Sequence, residues 1–181
     1  MAKTVCLLNL KTTLLAGFLI YNQETVLATT YMSAEQAKSI IWKDSLMTPY
    51  PITLSKEEVK TISKASKTRV RTPHIKAWKT KQNGWFILDQ VIGKHENIDI
   101  AVGIDNQGNI VGVEILEYRE TYGGEIRNPA WLAQFYKKRE LKVLKLDKDI
   151  KNISGATLSC RHITDGINRL SFMWEKVLKH L

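Results

Sequence analysis

The 181-residue chain is 44% hydrophobic and 25% charged, the balance of an ordinary globule long enough to bury a core without covalent staples. Its formal net charge is +9, and it carries two cysteines and four histidines. His74, His95, His162 and His180 are scattered without ligand spacing, which argues against a metal centre.

Lys3 and Lys11 flank an apolar run, Leu14–Ile20, that is too short to span a bilayer. Val26-Leu27-Ala28 then places small or branched residues ahead of a cleavage point. The pattern predicts a signal peptide over 1–28, removed after Ala28, and hence a periplasmic or otherwise extracytoplasmic location; a buried or amphipathic first helix is the other reading. Removal takes Lys3, Lys11 and Glu24, so +9 becomes +8. Cys6 leaves as well. Cys160 then stands alone, which excludes an internal disulfide, a zinc cluster, an iron–sulfur site and a CxxCH haem attachment.

Two capping boxes follow, Ser33 with Gln36 and Ser55 with Glu58, each ahead of an apolar helical stripe. Pro49 and Pro51 separate these two short helices, and residues 29–72 are expected to form a helical N-terminal extension. The basic excess is concentrated from Lys56 to Lys81. A solvated face is its plain reading. A docking patch for an acidic partner or an anionic membrane surface comes second, and nucleic acid third, since no nucleic-acid motif accompanies it.

Beyond Pro73 the period becomes two. Asn83-Gly84 marks a hairpin between a segment around 75–80 and one around 85–91. Ile98, Ile100, Val102 and Ile104 alternate with smaller or polar residues, Asp105 to Gly108 turns the chain, and Val111, Val113 and Ile115 alternate again. These segments predict an antiparallel sheet with one covered face. Residues 118–125 read as a turn, and Pro129–Tyr136 as a short helix with proline at its start. Ile163, Ile167, Leu170, Trp174, Val177 and Leu181 then form one stripe of a long terminal helix, with Lys176, Lys179 and His180 near its negative end. No repeat, low-complexity tract or linker interrupts the chain. The class is α+β, a twisted antiparallel sheet with flanking helices and a long C-terminal amphipathic helix.

Ser154-Gly155-Ala156-Thr157-Leu158-Ser159 sits at the mouth of that last helix. It offers three hydroxyl groups and a glycine-permitted turn where the first N–H groups of a helix point outward, an arrangement suited to a phosphate. Three stretches together carry a family resemblance: Gly93-Lys94-His95, the loop Glu120-Thr121-Tyr122-Gly123-Gly124, and the Ser-Gly-Ala-Thr-Leu-Ser turn. The chain resembles the FMN-binding domain family over about residues 74–178, which makes 73–181 the expected FMN-binding domain. That family includes the C subunit of the sodium-pumping NADH:quinone reductase, the G subunit of the Rnf complex and exported single-domain relatives.

The resemblance implies FMN held by a phosphoester to Thr157, installed by an exported flavin transferase that uses FAD and a divalent metal ion. It implies cofactor contacts from Ser154, Gly155, Ala156 and Ser159, and places Glu120 and Thr121 beside the isoalloxazine ring with Tyr122 stacked on it and Gly123 in the same loop. The plainer reading of that loop is a glycine turn leaving a strand, with Tyr122 and Trp131 as core aromatics. Two positions depart from the family pattern. Lys151 stands where relatives carry Asp three residues before the motif serine, the nearest acid being Asp149, and Tyr122 stands where proline commonly follows Glu-Thr. Cys160, with no resolving partner, is expected to be a packed thiol. Asp165 and Arg169, spaced i,i+4, are expected to be a surface pair.

The function implied is an exported electron carrier that takes electrons from a membrane reductase or cytochrome and has no catalytic residues or substrate turnover of its own. The alternatives are the same fold without covalent flavin, as a sensor or assembly subunit, and a flavin-dependent reductase of a small molecule.

Overall fold

Alternating apolar residues between His74 and Tyr118 build four long strands that meander side by side. The computed structural model describes residues 29–43, 45–136 and 142–181. The expected leader, 1–28, lies outside the described residues. The long strands are β4 (His74–Thr80), β5 (Trp85–Ile92), β6 (Asn97–Ile104) and β7 (Ile110–Tyr118). Ahead of them come β1 (Thr29–Thr30), β2 (Met47–Pro49) and β3 (Ile52–Thr53). All pair antiparallel in a seven-stranded sheet of order β1-β7-β6-β5-β4-β2, with β3 also on β4. The segment expected to be purely helical, 29–72, thus also supplies three short strands to the sheet.

Helix α1 (Ala34–Trp42) and helix α2 (Lys56–Ser66) each begin with a complete capping box, Ser33 with Gln36 and Ser55 with Glu58. The hairpin at Asn83 uses four residues, 81–84, with Asn83 at φ 60 and Gly84 N–H donating to Thr80 Oγ1 at 2.9 Å. Asn128 caps helix α3 (Pro129–Leu132) through Ala130 N–H, and a 3₁₀ turn at Ala133–Phe135 completes the expected short helix. The terminal helix α4 (Thr157–Lys176) runs for 20 residues.

α4 lies across one sheet face and α2 packs against it. Ile87, Ile100, Val102, Ile163, Ile167 and Leu170 meet there in the main core, each worth about 1.5–3 kcal/mol when fully buried. Five members of the predicted helix stripe are buried; Leu181, beyond the helix end, remains 47% exposed.

The second sheet face departs from expectation, because α1 covers part of it. Phe86, Ala101 and Leu116 pack there with Ala37, Ile41 and Trp42. Gly103 and Gly112 make the close approach possible. A Cβ at Gly103 would stand 2.3 Å from Ile41 Cγ2, and one at Gly112 would stand 2.7 Å from Ile41 Cγ1. Adjacent glycines on neighbouring strands open a socket, and Ile41 fills it.

Candidate functional site

Helix α4 starts without a side-chain cap. Ala156 occupies the N-cap position, and intrahelical bonding begins only with Cys160 N–H to the Ala156 carbonyl at 2.9 Å. The N–H groups of Thr157, Leu158 and Ser159 therefore have no helical acceptor. Gly155 precedes them at φ +84, a left-handed conformation that favours glycine, and open space surrounds the place a Cβ would take. Ser154 and Gly155 are exposed, and Thr157 is half-buried. The Thr157 hydroxyl accepts a hydrogen bond from Asn152 Nδ2 at 3.1 Å, while Asn152 Oδ1 is held by Ile153 N–H at 2.8 Å.

The loop after β7 is pressed against this helix start. Gly123, at φ +91, packs so closely that a Cβ there would stand 2.7 Å from Tyr118 Oη and 3.0 Å from Ala156 Cβ. Tyr118 donates its hydroxyl hydrogen to the Tyr122 carbonyl at 2.5 Å. Its oxygen also lies 3.1 Å from Ser159 Oγ. A phenol has one hydrogen, so Ser159 is the donor in that second bond. Burial raises the Tyr118 phenol above its ordinary pKa, and the Ser159 hydrogen bond works against the rise.

Glu120 ties in the third motif stretch. Its Oε1 accepts from His95 N–H at 2.6 Å and Glu96 N–H at 3.0 Å, both in the β5–β6 turn. Burial pushes the carboxyl up, but the backbone N–H groups of Glu96, His95 and Lys94 more than offset it. The net result is a pKa below the usual Glu value. The Gly93-Lys94-His95 turn, the 120–124 loop and the start of α4 are thus one continuous structure, although residues 93 and 157 are far apart in the chain.

Several expectations need correction. Tyr122 is 83% exposed, so it is not a core aromatic; Trp131 is buried, as expected of one. Ser159 is buried, and its hydrogen is committed to Tyr118. Thr121 is exposed. Asp165 and Arg169 are not a surface pair: Arg169 is only 7% exposed, bonds the Arg69 carbonyl at 3.3 Å, and pairs with Asp89 across the core. Cys160 is fully buried, the packed thiol expected of it, and burial pushes its pKa up. Lys151 is clamped through its backbone, donating to Gln134 Oε1 at 2.8 Å and accepting from Trp131 Nε1 at 2.6 Å. Asp149 is occupied with Lys145 N–H at 2.9 Å and Lys142 Nζ at 3.4 Å.

Sequence reasoning missed Tyr118 and Asn152. The signal available was adjacency alone, since Tyr118 closes the strand before the loop and Asn152 lies two residues before Ser154. Two cavities also have α4 residues in their walls. One of about 640 Å³ lies where β4 leaves β5, and includes Arg71, His74, Asp89 and Arg169 in its walls. One of about 360 Å³ lies between α4, the end of β5 and residues 68–71.

An uncapped helix start, three outward N–H groups, a glycine turn with free space and a half-buried threonine hydroxyl define a domain that can seat a phosphate-bearing cofactor. Residues 93–171 match the family model described as FMN-binding domain, a match that supports placing this segment in that family. The matched segment starts at the β5–β6 turn and ends inside α4, leaving α1, α2 and β1 to β5 outside it. The chain matches no curated protein.

Proposed function

We propose that the chain is an exported electron carrier whose FMN is joined by a phosphoester to Thr157. The observation that carries this reading is the convergence of the three motif stretches on an uncapped helix start, with Thr157 as its first residue. Thr157 N–H and its two successors would receive phosphate oxygens, aided by the helix dipole. Asn152 orients the Thr157 hydroxyl through its amide, leaving a lone pair of Oγ1 for a bond to phosphorus. In transfer from FAD, Thr157 Oγ1 gains the phosphorus bond as the pyrophosphate bridge breaks, AMP leaves and the hydroxyl proton is released.

Tyr118 and Ser159 hold the 120–124 loop against that helix, and Glu120 anchors it to the β5–β6 turn. In this reading Ser159 acts by positioning the loop, while Ser154, Gly155 and Ala156 form the phosphate turn. Thr121, Tyr122 and Gly123 border the ring. Lys151 is an exposed cation six residues before Thr157. The flavin ring supplies the redox chemistry when bound.

The partners in this reading are an exported flavin transferase and a membrane reductase or cytochrome. Lys56, Lys60, Lys64 and Lys67 are exposed along one side of α2, and that solvated row also suits an acidic partner or an anionic membrane surface. A binding module without covalent flavin is favoured by one residue, Lys151 in place of the family's Asp.

Co-expression with a flavin transferase tests the assignment. The denatured chain should keep yellow fluorescence and gain the mass of FMN minus water, and a Thr157→Ala variant should lose both. An unmodified chain in cells that flavinylate another substrate refutes covalent attachment.

A further inference from the structure

The smaller cavity has walls unlike those of the helix start. Its volume of about 360 Å³ is within the range of small-ligand pockets. Val91 and Ile92 give it an apolar side, and Ile92 is 49% exposed there. Arg69, Arg71 and Arg169 supply three guanidinium groups, and His162 and Asp165 line it from α4. His162 stands five residues after Thr157, about 7.5 Å further along the helix.

The cationic groups are not balanced within the protein. Arg169 is paired with Asp89. Arg71 is held by neutral acceptors only, Asn97 Oδ1 at 3.2 Å and the Gln90 carbonyl at 3.5 Å. Arg69 is exposed, and among the described residues neither Arg69 nor Arg71 forms an ion pair. The buried Nδ1 of His162 has no hydrogen-bond partner among these residues. Guanidinium forks match the two oxygens of a carboxylate, and the apolar side asks for a short hydrocarbon frame beside it.

We propose that the cleft between α4, the end of β5 and residues 68–71 binds a small organic carboxylate, with Arg69 and Arg71 holding the anion and Ile92 contacting its carbon frame. Asp165 is the one carboxyl lining this cleft. Burial raises its pKa, with His162, Arg161 and Arg169 opposing the rise. The site is separate from Thr157, so it stands or falls independently of covalent flavin.

The test is an NMR titration of the full chain with sodium succinate at constant ionic strength, with inorganic phosphate as the second arm. Succinate should produce saturable shifts confined to residues 68–71, 91–92 and 162–169, in wild type and in Thr157→Ala alike. Arg69→Gln, which keeps the backbone carbonyl used by Arg169, should weaken binding about tenfold. Lys64→Gln, on exposed α2, should leave it unchanged. Phosphate should bind more weakly because it lacks the hydrocarbon frame. Non-saturable shifts, shifts spread along the lysines of α2, equal losses in Arg69→Gln and Lys64→Gln, phosphate binding as tight as succinate, or loss of the site in Thr157→Ala would each overturn the proposal.

Discussion

Replacing Gly123 by alanine probes the joint between the loop and the helix start. Gly123 sits at φ 91 and ψ 19, where a Cβ costs about 1–2 kcal/mol in backbone strain. The added methyl would stand 3.3 Å from Ala156 Cα, so the helix backbone blocks retreat on one side. On the other it would press on Tyr118 Oη at 2.7 Å, displacing the donor of the Tyr122 hydrogen bond at a cost of about 1 kcal/mol. The sum is about 2–3 kcal/mol, or a fall of about 8 °C in Tm for a chain of this size. Gly124→Ala is the control. Its Cβ would meet only Tyr31 Oη at 3.5 Å, an ordinary contact, and its φ is not positive. Urea and thermal unfolding of both variants read the difference, and flavin retention should fall with Gly123→Ala alone. Equal tolerance of the two alanines would refute the claim that loop and helix are locked at this point.

Asp89→Ala leaves Arg169 buried without its carboxylate, which should cost about 3–5 kcal/mol in denaturant titration; a loss under about 1 kcal/mol would mean that Arg169 is well hydrated. Glu120→Gln should be less stable than wild type at neutral pH. The folded pKa of Glu120 lies below the unfolded value, so its stabilisation is present above the ordinary carboxylate range and lost as pH falls through the folded pKa. The gap between the two proteins should therefore close as pH falls below the ordinary carboxylate range and through the folded pKa, and a constant gap would count against the N–H contacts. Native protein at about pH 8 should resist iodoacetamide at Cys160, with alkylation at that residue appearing only in denaturant, as mapped by peptide mass.

Local signals were readable in the sequence, and contacts made over long separations were not. Both capping boxes, the turns joining β4 to β5 and β6 to β7, and the start of α4 follow from spacing over a few residues. Strands β1, β2 and β3 have only two or three residues each, too few to show alternation, and exist because a longer strand offers them an edge. The i,i+4 spacing of Asp165 and Arg169 suggested a surface pair, yet Arg169 turns inward to an acid 80 positions earlier. The covered second face had a trace in Gly103 and Gly112, whose meaning depends on Ile41 arriving from another element. At the site, the three motif stretches could be picked out by eye, but Tyr118 and Asn152 act through geometry that spacing does not encode.

The pairing of β1 with β7 has a consequence for processing. Thr29 lies opposite Tyr118, directly after the expected cleavage point at Ala28. A peptidase grips its substrate as an unpaired extended strand, and once Thr29 and Thr30 are zipped to the sheet edge their backbone is taken. In the proposed exported form, leader removal would have to come before this edge closes, and the new amino terminus would start on the strand that pairs with Tyr118.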